Sequence, residues 1–189
     1  FDERMDLNFK FGSNDCVYRG GVYVDGVVGK SIEFENNKFA SVSGASNLTF
    51  PLIPFSCTFL VKWNIGAFRN WLVSKRDFST SQIEYQIDYF SGQLQVGLFN
   101  TDNSGSIRKE YNWIPTVGQW YHITVTYDGT ALQSSLGLYI DAVSIGATRE
   151  VGTFTGMTLG TSRVLFGKAG FNSTYYLTGE MDCIRFWDK

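Results

Sequence analysis

His122 is the only histidine in this 189-residue sequence, and histidine is the side chain best suited to proton transfer near neutral pH. It lies in the stretch WYHITVTYDGT, on the strand face that carries Thr124 and Thr126. A catalytic zinc ion commonly needs three protein ligands, and no second histidine or nearby cysteine pair completes such a set. A Ser-His-Asp triad could assemble from distant residues, but no G-x-S-x-G motif is present. We therefore interpret His122 as a structural, hydrogen-bonded strand residue and not as part of an active site.

Three cysteines, Cys16, Cys57 and Cys183, permit at most one disulfide bond within the chain. None of them belongs to a C-x-x-C motif, so the sequence does not predict a zinc site built from thiolates. We expect buried thiols that pack as small hydrophobic groups. A Cys16–Cys183 bridge between the two ends of the chain is the alternative.

The composition argues against two classes of partner. The formal net charge of −2 provides no basic field for a phosphate backbone, so we do not expect nucleic-acid binding. No apolar run approaches 18 residues, so we do not expect membrane insertion. The opening residues, FDERMDLNFKF, have neither an initiator methionine nor the order of a signal peptide. We expect one domain, residues 1–189, that is a module of a larger protein.

Four segments alternate apolar and polar residues with a period of two, as strands with one buried face do. They are PFSCTFLVKW (54–63), IEYQIDYF (83–90), GQLQVGLF (92–99) and WYHITVTYDG (120–129). Turn-forming pairs such as Ser91-Gly92 and Asp128-Gly129 separate the runs. Aromatic residues, which favour strands, make up 16% of the chain. The sequence therefore predicts an all-β fold, an antiparallel two-sheet sandwich or jelly roll.

Six motifs occur in a recognisable order along the chain. They are GKSIEFENNKFASV (29–42), FSCTFLVKW (55–63), WLVSKRD (71–77), WYHITVTYDGT (120–130), LGLYIDAVSIG (136–146) and LTGEMDCIRFWDK (177–189). In this order they resemble the strand motifs of laminin-G-like, concanavalin A-like modules, with Ala142 and Cys183 as departures from the usual residues. The resemblance implies a two-sheet jelly roll that usually binds carbohydrate or protein.

Some members of this fold are glycoside hydrolases, and one large family among them uses an E-x-D-x-(x)-E motif on a single strand. The stretch GEMDCIR supplies Glu180 and Asp182, but Ile184 or Arg185 stands where the acid is required. An arginine side chain cannot donate a proton at neutral pH. We therefore expect that the protein is not an enzyme.

Calcium is common in the family that these motifs resemble, where it often ties an early loop to the last strand. Asn14, Asp15 and Asp182 could supply the oxygen ligands that calcium prefers. Asp182 could instead cap a turn, and Cys183 replaces the neighbouring acid of the family. The resemblance thus implies a structural calcium ion as the one candidate cofactor.

Two sets of residues are candidates for carbohydrate binding, since sugar sites combine aromatic rings with planar polar groups. The first set projects outward from neighbouring strands and contains Gln86, Asp88 and Gln95, with Lys75 or Arg76 as a donor. The second set consists of loop aromatics: Phe68, Trp113, Tyr175 and Tyr176. Trp113 precedes Ile114 and Pro115, where the strand ladder should break and present its ring to solvent. The alternative is that the first set is a solvated sheet face and that the aromatics cover the ends of the sandwich.

The sequence therefore predicts a non-catalytic module that binds a cell-surface or polysaccharide glycan through a concave sheet face and rim-loop aromatics. We expect it to be extracellular or surface-exposed, within a surface, adhesion or viral-tail-type assembly of other domains or subunits. The alternative is a protein-interaction or structural domain without a sugar site, and a glycoside hydrolase is the least favoured hypothesis.

Overall fold

The computed structural model describes residues 16–20, 22–43, 45–64, 69–77, 79–80, 82–158, 160, 162–170 and 175–188. In chain order its strands are β1 (Cys16–Arg19), β2 (Val22–Asp25), β3 (Lys30–Phe34), β4 (Phe39–Val42), β5 (Phe55–Trp63), β6 (Arg69–Asp77), β7 (Gln82–Phe90), β8 (Gln93–Phe99), β9 (Ser106–Asn112), β10 (Trp120–Tyr127), β11 (Leu136–Ile140), β12 (Val143–Ser144), β13 (Arg149–Gly152), β14 (Val164–Phe166) and β15 (Gly179–Trp187). Two short 3-10 turns, Ala45–Leu48 and Gln133–Ser135, complete the elements. Across the described ranges, no helix has the length and apolar character needed to cross a bilayer.

The strands form two antiparallel sheets. The eight-stranded sheet has the order β1-β4-β14-β6-β7-β8-β9-β13, and the seven-stranded sheet has the order β12-β11-β10-β5-β15-β3-β2. The late strands β14 and β15 insert between early strands, β14 between β4 and β6 and β15 between β5 and β3. This exchange joins distant parts of the chain and confirms the all-β two-sheet fold that the sequence predicts.

The core lies between the sheets and is rich in aromatic residues. Along β5 every second residue is buried, because one face of the strand packs on the opposite sheet. Phe50 stacks on Phe55 with ring centroids 4.4 Å apart, and both rings lie near Tyr85 of β7. Burying one such side chain contributes about 1.5–3 kcal/mol. The two sheets are therefore joined mainly by apolar packing.

Two irregularities in the pairing of β6 with β7 decide which side chains leave the core. The register shifts between Trp71 and Val73, and again between Lys75 and Arg76. A bulge places an extra residue in one strand and changes the direction of the side chains beside it. Leu72 and Val73 both join the core, whereas Trp71 lies opposite Asp88.

The cysteines behave largely as small buried groups. Cys57 is buried in the core, as the sequence predicts, and burial raises the pKa of its thiol. Cys183 is a free thiol at the bulge of β15, and partial burial raises its pKa to about 11. The proposed Cys16–Cys183 bridge is therefore wrong for this structure. The side chain of Cys16 lies outside the described residues.

Candidate ligand-binding face

Polar side chains form a row across the outer face of the eight-stranded sheet. Trp71 pairs with Asp88, Asp88 with Gln95, Gln95 with Glu110, and Glu110 with Arg149. Residues paired across antiparallel strands project on the same side of a sheet. Tyr85, Ile87 and Tyr89 belong to the core. The row therefore faces away from the core, and we call this surface the outer face.

Asp88 is fully buried, although it projects from the outer face. The Gln86 amide nitrogen donates to Asp88 Oδ1 at 3.1 Å, and Arg76 Nη1 donates to Gln86 Oε1 at 3.2 Å. Arg69 Nη2 lies 3.6 Å from Asp88 Oδ2, and Arg108 adds a further positive charge. Three guanidinium groups therefore surround one carboxylate.

These charges and their burial shift two ionisation equilibria. Burial raises the pKa of Asp88 to about 6, although the charges of Arg69 and Arg108 act in the opposite direction. Burial also lowers the pKa of Arg76, and repulsion from the other two arginines lowers it further. Asp88 is therefore partly protonated in mildly acidic solution.

Aromatic rings surround the guanidinium group of Arg69. Its central carbon lies 4.9 Å from the ring centroid of Phe90, 5.1 Å from that of Trp71 and 5.4 Å from that of Tyr175. Cations over aromatic faces gain about 0.5–2 kcal/mol. Tyr175 is 52% exposed, so its ring offers an accessible surface beside the cluster.

Gly97 makes the close approach of these side chains possible. It lies between Gln86 and Arg108 on the outer face. A Cβ atom at this position would lie 2.7 Å from the ring of Phe99 and 3.3 Å from Cγ of Arg108. The absence of a side chain at Gly97 thus lets Arg108 extend along the sheet.

The predicted first set is only partly brought together here. Gln86, Asp88 and Gln95 share the outer face, but each is less than 10% exposed, which contradicts the alternative of a solvated sheet face. Arg76 donates a hydrogen bond to Gln86, and Arg69 and Arg108 lie close to Asp88. Gln95 nevertheless lies in register with Asp88, at the centre of the row.

Lys75 does not belong to the outer face, and its prediction as a ligand donor is wrong. Its ammonium group is fully buried and lies 2.8 Å from the carboxylate of Glu84. The hydroxyl of Thr49 donates to Glu84 at 2.6 Å and accepts a hydrogen bond from Lys75. The bulge between Lys75 and Arg76 brings Glu84 to the side of the sheet that Lys75 occupies. Burial raises the pKa of Glu84 and lowers that of Lys75, while each charge favours the other.

Trp113 packs against the core and is only partly exposed, whereas the expectation from Pro115 was a ring presented to solvent. Its ring is half-buried against the core, 4.8 Å from the ring of Tyr121 and 5.5 Å from that of Trp63, both in edge-on contacts. Its backbone N–H still donates to Gly92. The strand does end at Asn112, but the indole folds back over the end of the sandwich.

The other loop aromatics have different surroundings. Tyr175 joins the outer face through Arg69, as described above. Tyr176 is half-buried at a distance from that cluster, donates its hydroxyl to Asn37 Oδ1 at 3.2 Å, and packs on the ammonium group of Lys168. Phe68 lies outside the described residues.

Asp182 closes the loop between β2 and β3. Its Oδ2 atom accepts hydrogen bonds from the backbone N–H groups of Val27 and Val28, both at 3.0 Å. This is the turn-capping role that was the alternative to calcium binding. Asn14 and Asp15 lie outside the described residues, and the described ranges contain no group of three or more residues suited to hold a metal ion. The calcium site therefore stays a prediction.

Glu180, the other carboxylate of the near-match to a hydrolase motif, is also engaged. It lies 2.7 Å from the ammonium group of Lys62 and accepts a hydrogen bond from the hydroxyl of Ser31 at 3.2 Å. The bulge after Asp182 then turns Arg185 to the exposed side. The contacts of Glu180 thus join β15 to the neighbouring strands β5 and β3.

His122 is exposed on β10, on the outer side of the seven-stranded sheet. Its backbone N–H donates to Asp141 Oδ1 at 2.8 Å, and its carbonyl accepts from the N–H of Asp141 at 2.8 Å. The expected side-chain hydrogen bond is not found among the described residues. Because alternate residues of β10 face solvent, the imidazole is at the surface and contributes only its backbone to the turn.

The family is established by sequence. A model of the concanavalin A-like lectin/glucanases superfamily matches residues 64–189, about two thirds of the chain. The chain belongs to this superfamily. The resemblance inferred from the six motifs is thereby confirmed, although no curated protein matches the chain.

Solved structures with the same fold include several binding domains. The binding domain of Paraclostridial Mosquitocidal Protein 1 matches with a TM-score of 0.69 and 18% identity, over 100% of this chain and 47% of that one. Domain 4 of AbnA, an extracellular arabinanase from Geobacillus stearothermophilus solved with arabinotriose, gives 0.64 and 16%, over 95% and 84%. The binding domain of botulinum neurotoxin serotype G gives 0.63 and 11%, over 93% and 43%. The chain thus spans about half the length of the toxin domains, and the TM-scores show a shared jelly-roll fold.

Proposed function

We propose that the chain is a non-catalytic carbohydrate-binding module that binds a cell-surface or polysaccharide glycan on its outer face. The observation that carries this proposal is the meeting of planar polar groups with an exposed ring. Arg69 packs on the exposed ring of Tyr175, which comes from a distant part of the chain, and the same guanidinium group lies beside Asp88 of the polar row.

Such a combination suits a sugar better than a purely apolar ligand. A pyranose presents C–H groups that stack on an aromatic ring and hydroxyls that bond amide and guanidinium groups. Tyr175 supplies the ring, and Arg69 holds that ring beside the polar row. Because Arg69 also contacts Trp71 and Phe90, its position is fixed before any ligand arrives.

The absence of catalysis is part of the proposal and is supported by the carboxylates of β15. Glu180 is paired with Lys62, and Asp182 is held by the backbone of the β2–β3 loop. Retaining hydrolysis needs two carboxyl groups free to reach the glycosidic bond from both sides. Neither Glu180 nor Asp182 is therefore free to act as the acid or the nucleophile of such a reaction.

The wider setting is also proposed. We place the module outside the cell or on a cell or virion surface, joined to other domains or subunits of a surface, adhesion or viral-tail-type assembly. The shared fold with an extracellular arabinanase domain and with toxin binding domains supports such a setting.

A protein-interaction domain is the second candidate, and one observation favours it. The β2–β3 hairpin exposes three valines, Val22, Val27 and Val28, by 49%, 52% and 64%. Exposed apolar groups at a sheet edge often mark contacts between proteins. This surface lies on the other sheet, so both functions can be tested separately.

A glycan array followed by calorimetry tests the primary proposal. We expect Tyr175→Ala to weaken binding of the best glycan at least tenfold, about 1.4 kcal/mol. Tyr139→Ala is the matched control, because Tyr139 is an exposed tyrosine on β11 of the opposite sheet. Equal binding by the parent and both variants would refute the assignment to the outer face. Failure to bind any glycan would favour the protein-interaction candidate.

A further inference from the structure

The outer face carries an excess of positive charge in a protein whose net charge is −2. Arg69, Arg76 and Arg108 all lie close enough to act on the single carboxylate of Asp88. Glu110, the next acid in the row, is bonded to Arg149 at 3.2 Å and is thereby neutralised. Arg69 and Arg108 therefore share the single carboxylate of Asp88, which cannot neutralise both of them.

The cluster also has more hydrogen-bond donors than acceptors. Arg108 is half-buried and makes no hydrogen bond or ion pair with a described residue. Arg69 Nε and the indole N–H of Trp71 are buried without acceptors, and Trp71 is only 2% exposed. Leaving a buried donor unpaired costs about 1–3 kcal/mol. Asp88 Oδ2 is a buried acceptor without a hydrogen bond as well, so the donors that an added acceptor could reach are the partly exposed guanidinium groups of Arg69 and Arg108.

We propose that the glycan bound at the outer face is anionic and places a carboxylate or sulfate group among these arginines. This inference rests on the proposed carbohydrate-binding function and specifies its ligand. A planar guanidinium group matches two oxygens of a carboxylate or sulfate at once, which a hydroxyl group cannot provide. The sugar ring that carries the acid then stacks on Tyr175, next to Arg69.

The arrangement of the arginines is costly without such a ligand. Arg69 and Arg108 both repel Arg76, which is held by Gln86, and Gln86 is held in turn by Asp88. Asp88 thus fixes the geometry of the cluster without neutralising it. An incoming anion gains the attraction of charges that are already in place.

Matched glycan pairs test the inference. Calorimetry would compare 3'-sialyllactose with lactose, polygalacturonate with its methyl ester, and a sulfated galactan with its desulfated form. We expect at least one acidic member to bind tenfold or more tightly than its neutral counterpart. The pair that shows the preference also distinguishes a carboxylate from a sulfate.

Arg108→Gln is the decisive variant, with Arg185→Gln as its control. Arg185 is exposed on β15 of the opposite sheet, so the control removes the same charge from another surface. We expect Arg108→Gln to weaken binding of the acidic glycan at least tenfold in 50 mM NaCl and by a smaller factor in 500 mM NaCl. The Arg185→Gln variant should bind this glycan like the parent.

The outcomes separate the two proposals. Equal binding of neutral and acidic members, or an Arg108→Gln variant that binds like the parent, would overturn the anionic ligand while the carbohydrate-binding function stands. Failure of every pair and of a broad glycan array would overturn both.

Discussion

Replacing Asp88 with asparagine should stabilise the domain above about pH 6 and leave its stability unchanged near pH 4. In the folded protein, burial raises the pKa of Asp88 to about 6 from an ordinary value of 3.8. Between these two values the folded state holds a proton that the unfolded chain has released. The free energy of unfolding therefore falls as pH rises through this window, and it falls no further above it.

The size of the effect follows from the same two values. They differ by about 2, and each pKa unit corresponds to about 1.4 kcal/mol, so ionised Asp88 costs about 3 kcal/mol at pH 7.5. This figure already includes the attraction of Arg69 and Arg108. Asparagine has the shape of the protonated acid and keeps an oxygen for the Gln86 amide. The variant should therefore avoid most of this cost.

Urea unfolding followed by tryptophan fluorescence measures the effect at pH 4.5, 5.5, 6.5 and 7.5. The difference between the Asp88→Asn variant and the parent isolates this carboxyl group, because all other titrating groups are common to both proteins. Asp188→Asn, which changes an exposed acid, is the control. A variant that is less stable than the parent at pH 7.5 would show that Asp88 is held as a stabilising counter-charge, and a difference that does not vary with pH would show that folding does not shift its pKa.

Three further changes test other parts of the structure. Lys75→Met should lower the free energy of unfolding in urea by about 3–5 kcal/mol, because it leaves Glu84 buried without a counter-charge. The Lys75→Met/Glu84→Leu double variant should recover most of this loss. Equal stability of the parent and the single variant would contradict the buried pair. Trp113→Ala should lower stability by about 2 kcal/mol, since the indole covers the core, and an unchanged melting temperature would contradict that packing. If the predicted calcium site exists, Ca²⁺ should raise the melting temperature of the parent more than that of the Asp15→Asn variant. An unchanged melting temperature of the parent in Ca²⁺ would refute the predicted site.

The fold could be predicted because its strands show which side faces the core. In β5 and β10 each inward residue is apolar and each outward residue is at least partly exposed, so a period of two appears directly in the sequence. The pairing of β14 and β15 with early strands has no such local pattern. Alternation and turn spacing predicted a two-sheet sandwich or jelly roll, and only the resemblance of whole motifs, in their order, favoured the jelly roll.

The candidate site was harder to predict, because alternation identifies a face and not what covers it. β7 is buried along almost its whole length, although it reads like a half-exposed strand. Gln86 and Asp88 were found from alternation, whereas Arg108 and Trp71 were missed. Arg108 joins them only through the register of β8 with β9. Applying the same alternation to RKE (108–110) would have placed its first and last residues on one face.

Lys75 shows a second limit, set by the bulges. A strand without irregularities would place Lys75 on a predictable side relative to Trp71, but two register shifts lie in β6 and β7. Each extra residue reverses the expected direction of the side chains that follow it. Such bulges depend on tertiary packing, so the sequence gives no local indication that Lys75 pairs with Glu84 in the interior.

Asp88 connects the stability of the domain with the ligand proposed for it. A buried carboxylate that lowers the free energy of unfolding above pH 6 would be replaced readily if stability alone mattered. Here it orients Gln86, through which it holds Arg76, and it reduces the repulsion among three arginines. An apolar residue at this position would relieve the cost of burial but leave the guanidinium groups without a common partner. For the proposed anionic ligand, an ionisable group at this position would hold positive charges together where the anion binds, at a cost in stability that binding would offset.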